Sequence, residues 1–86
     1  MPIISRFYGM VVTMHYDDHP PPHFHVRYVG DKAIIGIESL AVLAGRLPPR
    51  AHGLIADWAS RHGEELLENW IRCRRHEPLM PIEPLE

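Results

Sequence analysis

Four of the seven histidines, His15, His19, His23 and His25, fall within eleven residues around the triplet Pro20-Pro21-Pro22. Imidazole ligates divalent metals and carries protons near neutral pH, so this short segment concentrates the chemistry available to the chain. On an extended strand, residues i and i+2 share a face about 6.6 Å apart along it, and directly opposed Cβ atoms lie about 5 Å apart. Imidazoles at such spacing can converge on one ion at Zn–N distances of about 2.0–2.1 Å.

The elements that must hold these residues are legible in the pattern. Residues 9–16 are rich in β-branched and large apolar types without a helical stripe and read as a strand. Residues 23–29 alternate strictly, with Phe24, Val26 and Tyr28 on one face and His23, His25 and Arg27 on the other. A two-residue turn at Gly30-Asp31 leads into a third strand, Lys32 to Glu38, and a short fourth is expected at about Ala41 to Gly45. Past Leu47-Pro48-Pro49, Arg50 to Arg75 has helical periodicity, with Ala51, Leu54, Ile55, Trp58, Leu66 and Trp70 near one stripe. Gly63 either splits this helix or only lowers its stability, by about 1 kcal/mol. The fold class expected is α+β: an antiparallel three- to four-stranded meander with one long C-terminal helix packed on one face. Residues 1–76 form the single domain and 77–86 a proline-rich tail, which cannot be helical and is expected to lie extended along the surface.

Strand register follows from matching apolar residues across the hairpins. Opposing Tyr16 to Phe24, Met14 to Val26 and Val12 to Tyr28, then Tyr28 to Ala33 and Val26 to Ile35, builds one continuous apolar face. The other face then sets His15 across from His25, Asp17 across from His23 and Thr13 across from Arg27, with Gly36 beside His25 and Glu38 beside His23. His15, Asp17, His23, His25, Arg27 and Glu38 are therefore the candidate site. One reading is a divalent metal centre, Zn²⁺ for example, ligated by His15, His23 and His25, with Asp17 or Glu38 as fourth ligand or general base and Gly36 leaving room for a ligand or water. A metal-free version uses His25 or His15 as acid and base in phosphodiester cleavage, with Arg27 stabilising the phosphate. The plain alternative is a solvent-facing sheet surface on which histidine is simply tolerated.

Composition narrows the classes. The chain has 86 residues, 9 Lys+Arg against 11 Asp+Glu and a single cysteine, Cys73, so no intrachain disulfide can form. No apolar run approaches the ~20 residues that span a bilayer. The opening Met1-Pro-Ile-Ile-Ser-Arg lacks the order of a signal peptide, and a cytoplasmic location without membrane association is expected. A formal charge of −2 makes nucleic acid a possible partner but not the favoured one. Cys73 reads as a small buried apolar residue.

Five segments together resemble a known family: Pro2 to Gly9, the run Asp18-His-Pro-Pro-Pro-His-Phe-His-Val26, Leu47-Pro48, Glu65-Leu-Leu-Glu-Asn-Trp70, and Pro81-Ile-Glu-Pro-Leu85. They resemble the prokaryotic domain-of-unknown-function family number 4160 over nearly the whole chain, with Pro-Pro-His-Phe-His the most specific part. The resemblance implies a small bacterial or archaeal protein, similar in size and setting to members of toxin–antitoxin-like gene pairs, and transfers no catalytic residue. The expected function is a protein-binding regulatory module with a protein partner or a second copy of itself. The rival is a metal- or histidine-dependent nuclease or hydrolase working on the histidine face.

Overall fold

The computed structural model describes residues 2–86; residue 1 of the expected domain lies outside them. The architecture is α+β, a five-stranded antiparallel meander in the order β1-β2-β3-β4-β5 followed by two helices. The strands are β1 (Ile3–Phe7), β2 (Met10–Thr13), β3 (His23–Tyr28), β4 (Asp31–Gly36) and β5 (Val42–Gly45); the helices are α1 (Pro49–Arg61) and α2 (Gly63–Arg74).

Three expected features of the elements are corrected, and the strand register is a fourth. The first is the strand count: β1 is additional, joined to β2 by a tight turn in which Tyr8 and Gly9 both have positive φ. Second, the expected strand over 9–16 stops at Thr13, because a turn from His15 to Asp18, closed by the Asp18 N–H donating to the His15 carbonyl at 3.3 Å, takes the chain out of the sheet. Third, the helix is two helices. His62 has φ −127° and ψ 28°, outside the helical region, immediately before Gly63, the residue with least to lose by leaving a helix. The split moves Glu64 and Glu65 from mid-helix to the first turn of α2, where they face the positive end of its dipole, while Arg72 and Arg74 occupy the last turn.

Both hairpins are displaced by two residues from the expected register. Val12 opposes Val26, and Tyr28 opposes Asp31 across a turn at Val29-Gly30 rather than Gly30-Asp31. Because side chains alternate with a period of two, a two-residue displacement leaves every side chain on its expected face. Val29 carries the strain of that turn at φ 54°, an uncommon conformation for a β-branched residue.

Phe24, Val26, Ile35, Val12 and Met14 are buried on the face that the helices cover, with Ile55, Trp58, Leu66 and Cys73 packed onto them. Burial holds the Cys73 thiol above its ordinary pKa, which keeps it an unreactive apolar filler. Residues 77–86 are non-helical and dock against the domain. Asn69, fully buried, donates to the Met80 carbonyl and accepts from the Met80 N–H, both at 2.8 Å. The Ile82 N–H donates to the Ile4 carbonyl of β1 at 2.8 Å, and the Trp58 indole N–H donates to the Glu83 carbonyl at 2.7 Å. The tail thus lies on the β1 edge, while all four residues of β5 are exposed at the other edge.

Gly45, at the end of β5, has φ +74°, and a Cβ there would meet the Lys32 carbonyl oxygen at 2.1 Å. Gly45→Ala combines a left-handed backbone with a collision against β4, so a loss of about 2–4 kcal/mol is expected in urea unfolding. Gly30→Ala, where a Cβ meets nothing within 4 Å, is the matched control, with a change within about 0.5 kcal/mol. Equal midpoints for the two variants would refute the close approach at Gly45.

Candidate metal centre

The site is assembled where β2 ends and β3 begins. β3 supplies His23 and His25 on its open face, because Phe24 and Val26 are committed to the core. The loop after Thr13 returns His15 over β3, where its ring stacks on that of His25 with centroids 3.8 Å apart and planes within 8°. The His15–Asp18 turn then folds the Asp18 carboxylate back onto both β3 histidines. Its Oδ2 lies 2.8 Å from His25 Nε2 and 3.1 Å from His23 Nε2. One ligand atom from each of His15, Asp18 and His25 can be chosen so that all three lie within 4.8 Å of one another.

His23 stands behind this set and is buried. Its Nδ1 donates to the Pro21 carbonyl at 2.7 Å, and its ring packs 5.2 Å from that of Trp70 on α2. Its other ring nitrogen, Nε2, faces the Asp18 Oδ2 at 3.1 Å. The proline loop contributes in a defined way: it supplies the carbonyl that fixes this ring. Arg74 donates to the Asp18 carbonyl at 3.3 Å while its guanidinium lies 5.8 Å from the Trp70 ring centre, so the end of α2 holds the loop in place.

The electrostatics follow the geometry. Burial opposes ionisation of Asp18 but is outweighed by the hydrogen bond from His25 and the charges of the three histidines, so its carboxyl is held below the ordinary value. Burial, reinforced by His25, lowers the pKa of His15. The cluster therefore pairs an ionised carboxylate with an imidazole biased toward its neutral, ligating form.

The expected site residues separate into two groups. His15 and His25 meet, with His23 adjoining them. Asp17 projects into solvent from the turn, and Glu38 is exposed beyond the end of β4, so neither reaches the cluster. Gly36 opposes His23 rather than His25, which lies across from Ile34, and the space above Gly36 is taken by Ser39, whose Oγ would sit 2.5 Å from an added Cβ. Arg27 is exposed one step along β3, opposite Lys32. Sequence reasoning missed Asp18. The available signal was the Asp17-Asp18 pair itself, since aspartate favours turns and two in succession mark the chain leaving the sheet.

Fold and site together define a small α+β protein with a histidine–carboxylate cluster at the mouth of an open antiparallel sheet. No helix among the described residues is long and apolar enough to cross a membrane. A family model described as Domain of unknown function (DUF4160) matches residues 9–71, and the chain belongs to that family. No curated protein and no solved structure matches the chain.

Proposed function

We propose that the chain is a divalent-metal protein that holds one ion between His15, Asp18 and His25 and uses it to activate water as a small hydrolase. The observation that carries this reading is the convergence of two imidazoles and one carboxylate within 4.8 Å at a partly exposed position. Three protein ligands leave positions for water and substrate, the arrangement of catalytic rather than closed structural sites. Two histidines and a carboxylate suit Zn²⁺, Fe²⁺, Mn²⁺ or Ni²⁺. His23, oriented by the Pro21 carbonyl, stands 3.1 Å from the Asp18 carboxylate, the kind of outer support that a ligating carboxylate receives.

Native mass spectrometry with calorimetric titration of each of these four ions tests the reading. One ion per chain, lost in His15→Ala with the circular dichroism spectrum unchanged, is the expected result. Uptake of none of the four ions rejects it.

A second reading is favoured by the β5 edge. Among the described residues no strand lies on its outer side, and Val42 and Leu43 are exposed on it, which fits a protein-binding regulatory module, a component of a toxin–antitoxin-like pair, that adds a partner's strand there.

A further inference from the structure

The formal charge of −2 conceals an uneven distribution. Arg6 opposes Val11, Val11 opposes Arg27 and Arg27 opposes Lys32, so these residues form a single row across β1 to β4 on the face away from the helices. All three cations are exposed, and none has an ion-pair partner among the described residues. The one acidic residue within the strands, Asp31, is engaged by Arg46 at 3.5 Å. The other acids lie in the loops, helices and tail.

Directly opposed like charges destabilise an antiparallel pair by up to about 1 kcal/mol, so the Arg27–Lys32 pairing is a cost to the fold that an anion bound between them would relieve. The same face carries a groove of about 330 Å³ that runs from His15 and His25 to Arg27 and Lys32 over a floor that includes Ile34 and Ala44. Cations on one side and an apolar floor on the other match the two halves of a nucleotide, its phosphate and its base. The row spans about 14 Å, three inter-strand spacings, which is the scale of a few nucleotides of one strand. A sheet face presents no helix or two-stranded ribbon to enter a duplex groove.

We propose that this face binds single-stranded nucleic acid, with backbone phosphates on Arg6, Arg27 and Lys32 and one nucleotide seated in the groove. The inference names the substrate class for the hydrolase reading, on which any cleavage rests, whereas strand binding needs no metal.

The test is fluorescence anisotropy in EDTA with labelled oligouridylate and oligothymidylate strands, a duplex of equal length and inorganic pyrophosphate as competitor. The wild-type chain is expected to bind the single strands, with a slope of log K against log salt of about −2 for three phosphate contacts. Arg27→Gln/Lys32→Gln, which removes the internal repulsion, should remain folded, bind about tenfold or more weakly, and show a slope near −0.7. Arg50→Gln/Arg75→Gln, which removes two cations away from the sheet, should bind as the wild type does. No binding of either single strand at low salt overturns the proposal. So does equal weakening by the two double variants, tighter binding of the duplex, or complete displacement by equimolar pyrophosphate. Strand binding retained without cleavage after EDTA is replaced in turn by Zn²⁺, Fe²⁺, Mn²⁺ and Ni²⁺ sustains this proposal and rejects the hydrolase reading for this substrate class instead.

Discussion

Asp18→Asn is expected to abolish stoichiometric metal binding while the chain stays folded, and Asp17→Asn is expected to change nothing. The two positions are adjacent, yet only Asp18 is turned onto His25 and His23, while Asp17 faces solvent. The asparagine keeps the shape of the side chain and removes the anionic ligand. Losing a residue that merely supports a ligand weakens metal affinity by about 10–100-fold, so losing a ligand should weaken it by at least about 100-fold. The cost to the fold is smaller, because Asp18 is partly exposed and its loop is also held by Arg74. Titration calorimetry of both variants, with circular dichroism as the check on folding, decides the matter. Unchanged affinity in Asp18→Asn would remove it from the ligand set, and a loss in Asp17→Asn would mean that the turn presents the other carboxylate.

Trp58→Ala should produce the largest loss of stability in the molecule. The indole is fully buried, packs against Phe7 and Phe24 at centroid distances of 5.2 and 5.9 Å, and donates the bond that pins Glu83 of the tail. Truncating a buried tryptophan costs about 3–5 kcal/mol, a large share of the roughly 5–15 kcal/mol that holds a small domain folded. At about 4–8 °C per kcal/mol for a domain of this size, Tm should fall by at least about 12 °C. Trp58→Phe retains most of the volume but leaves the Glu83 carbonyl without its donor, and should cost only about 1–2 kcal/mol. A fall of less than about 4 °C for the alanine variant would contradict the central place of Trp58 in the core.

The faces of the sheet were legible in the sequence because alternation is a local property, and it survived a register displaced by two residues. β1 was not legible: Ser5 and Arg6 interrupt its apolar pattern, and a bulge between Ile3 and Ser5 breaks its pairing with β2. Gly63 marked the weak point of the helical stretch, but the distorted residue is the neighbouring His62, which no propensity singles out. At the candidate site, the shared face of His23 and His25 followed from period two alone. Asp18 did not, because the turn that delivers it depends on where β2 stops. The docking of the tail was least legible of all. It rests on Asn69 and Trp58 bonding to backbone groups 11 and 25 residues away, and single side chains carry no periodic signal of that kind.

The two edges of the sheet set a limit on growth. At β1 the tail occupies the outer side, and Pro81 and Pro84 flank Ile82 without a backbone N–H to offer a further strand. Among the described residues, strand addition can therefore proceed only from β5. Two copies joined β5 to β5 about a two-fold axis would form one ten-stranded sheet with both outer ends blocked, so self-association through this edge stops at a closed pair and cannot run on into a fibre.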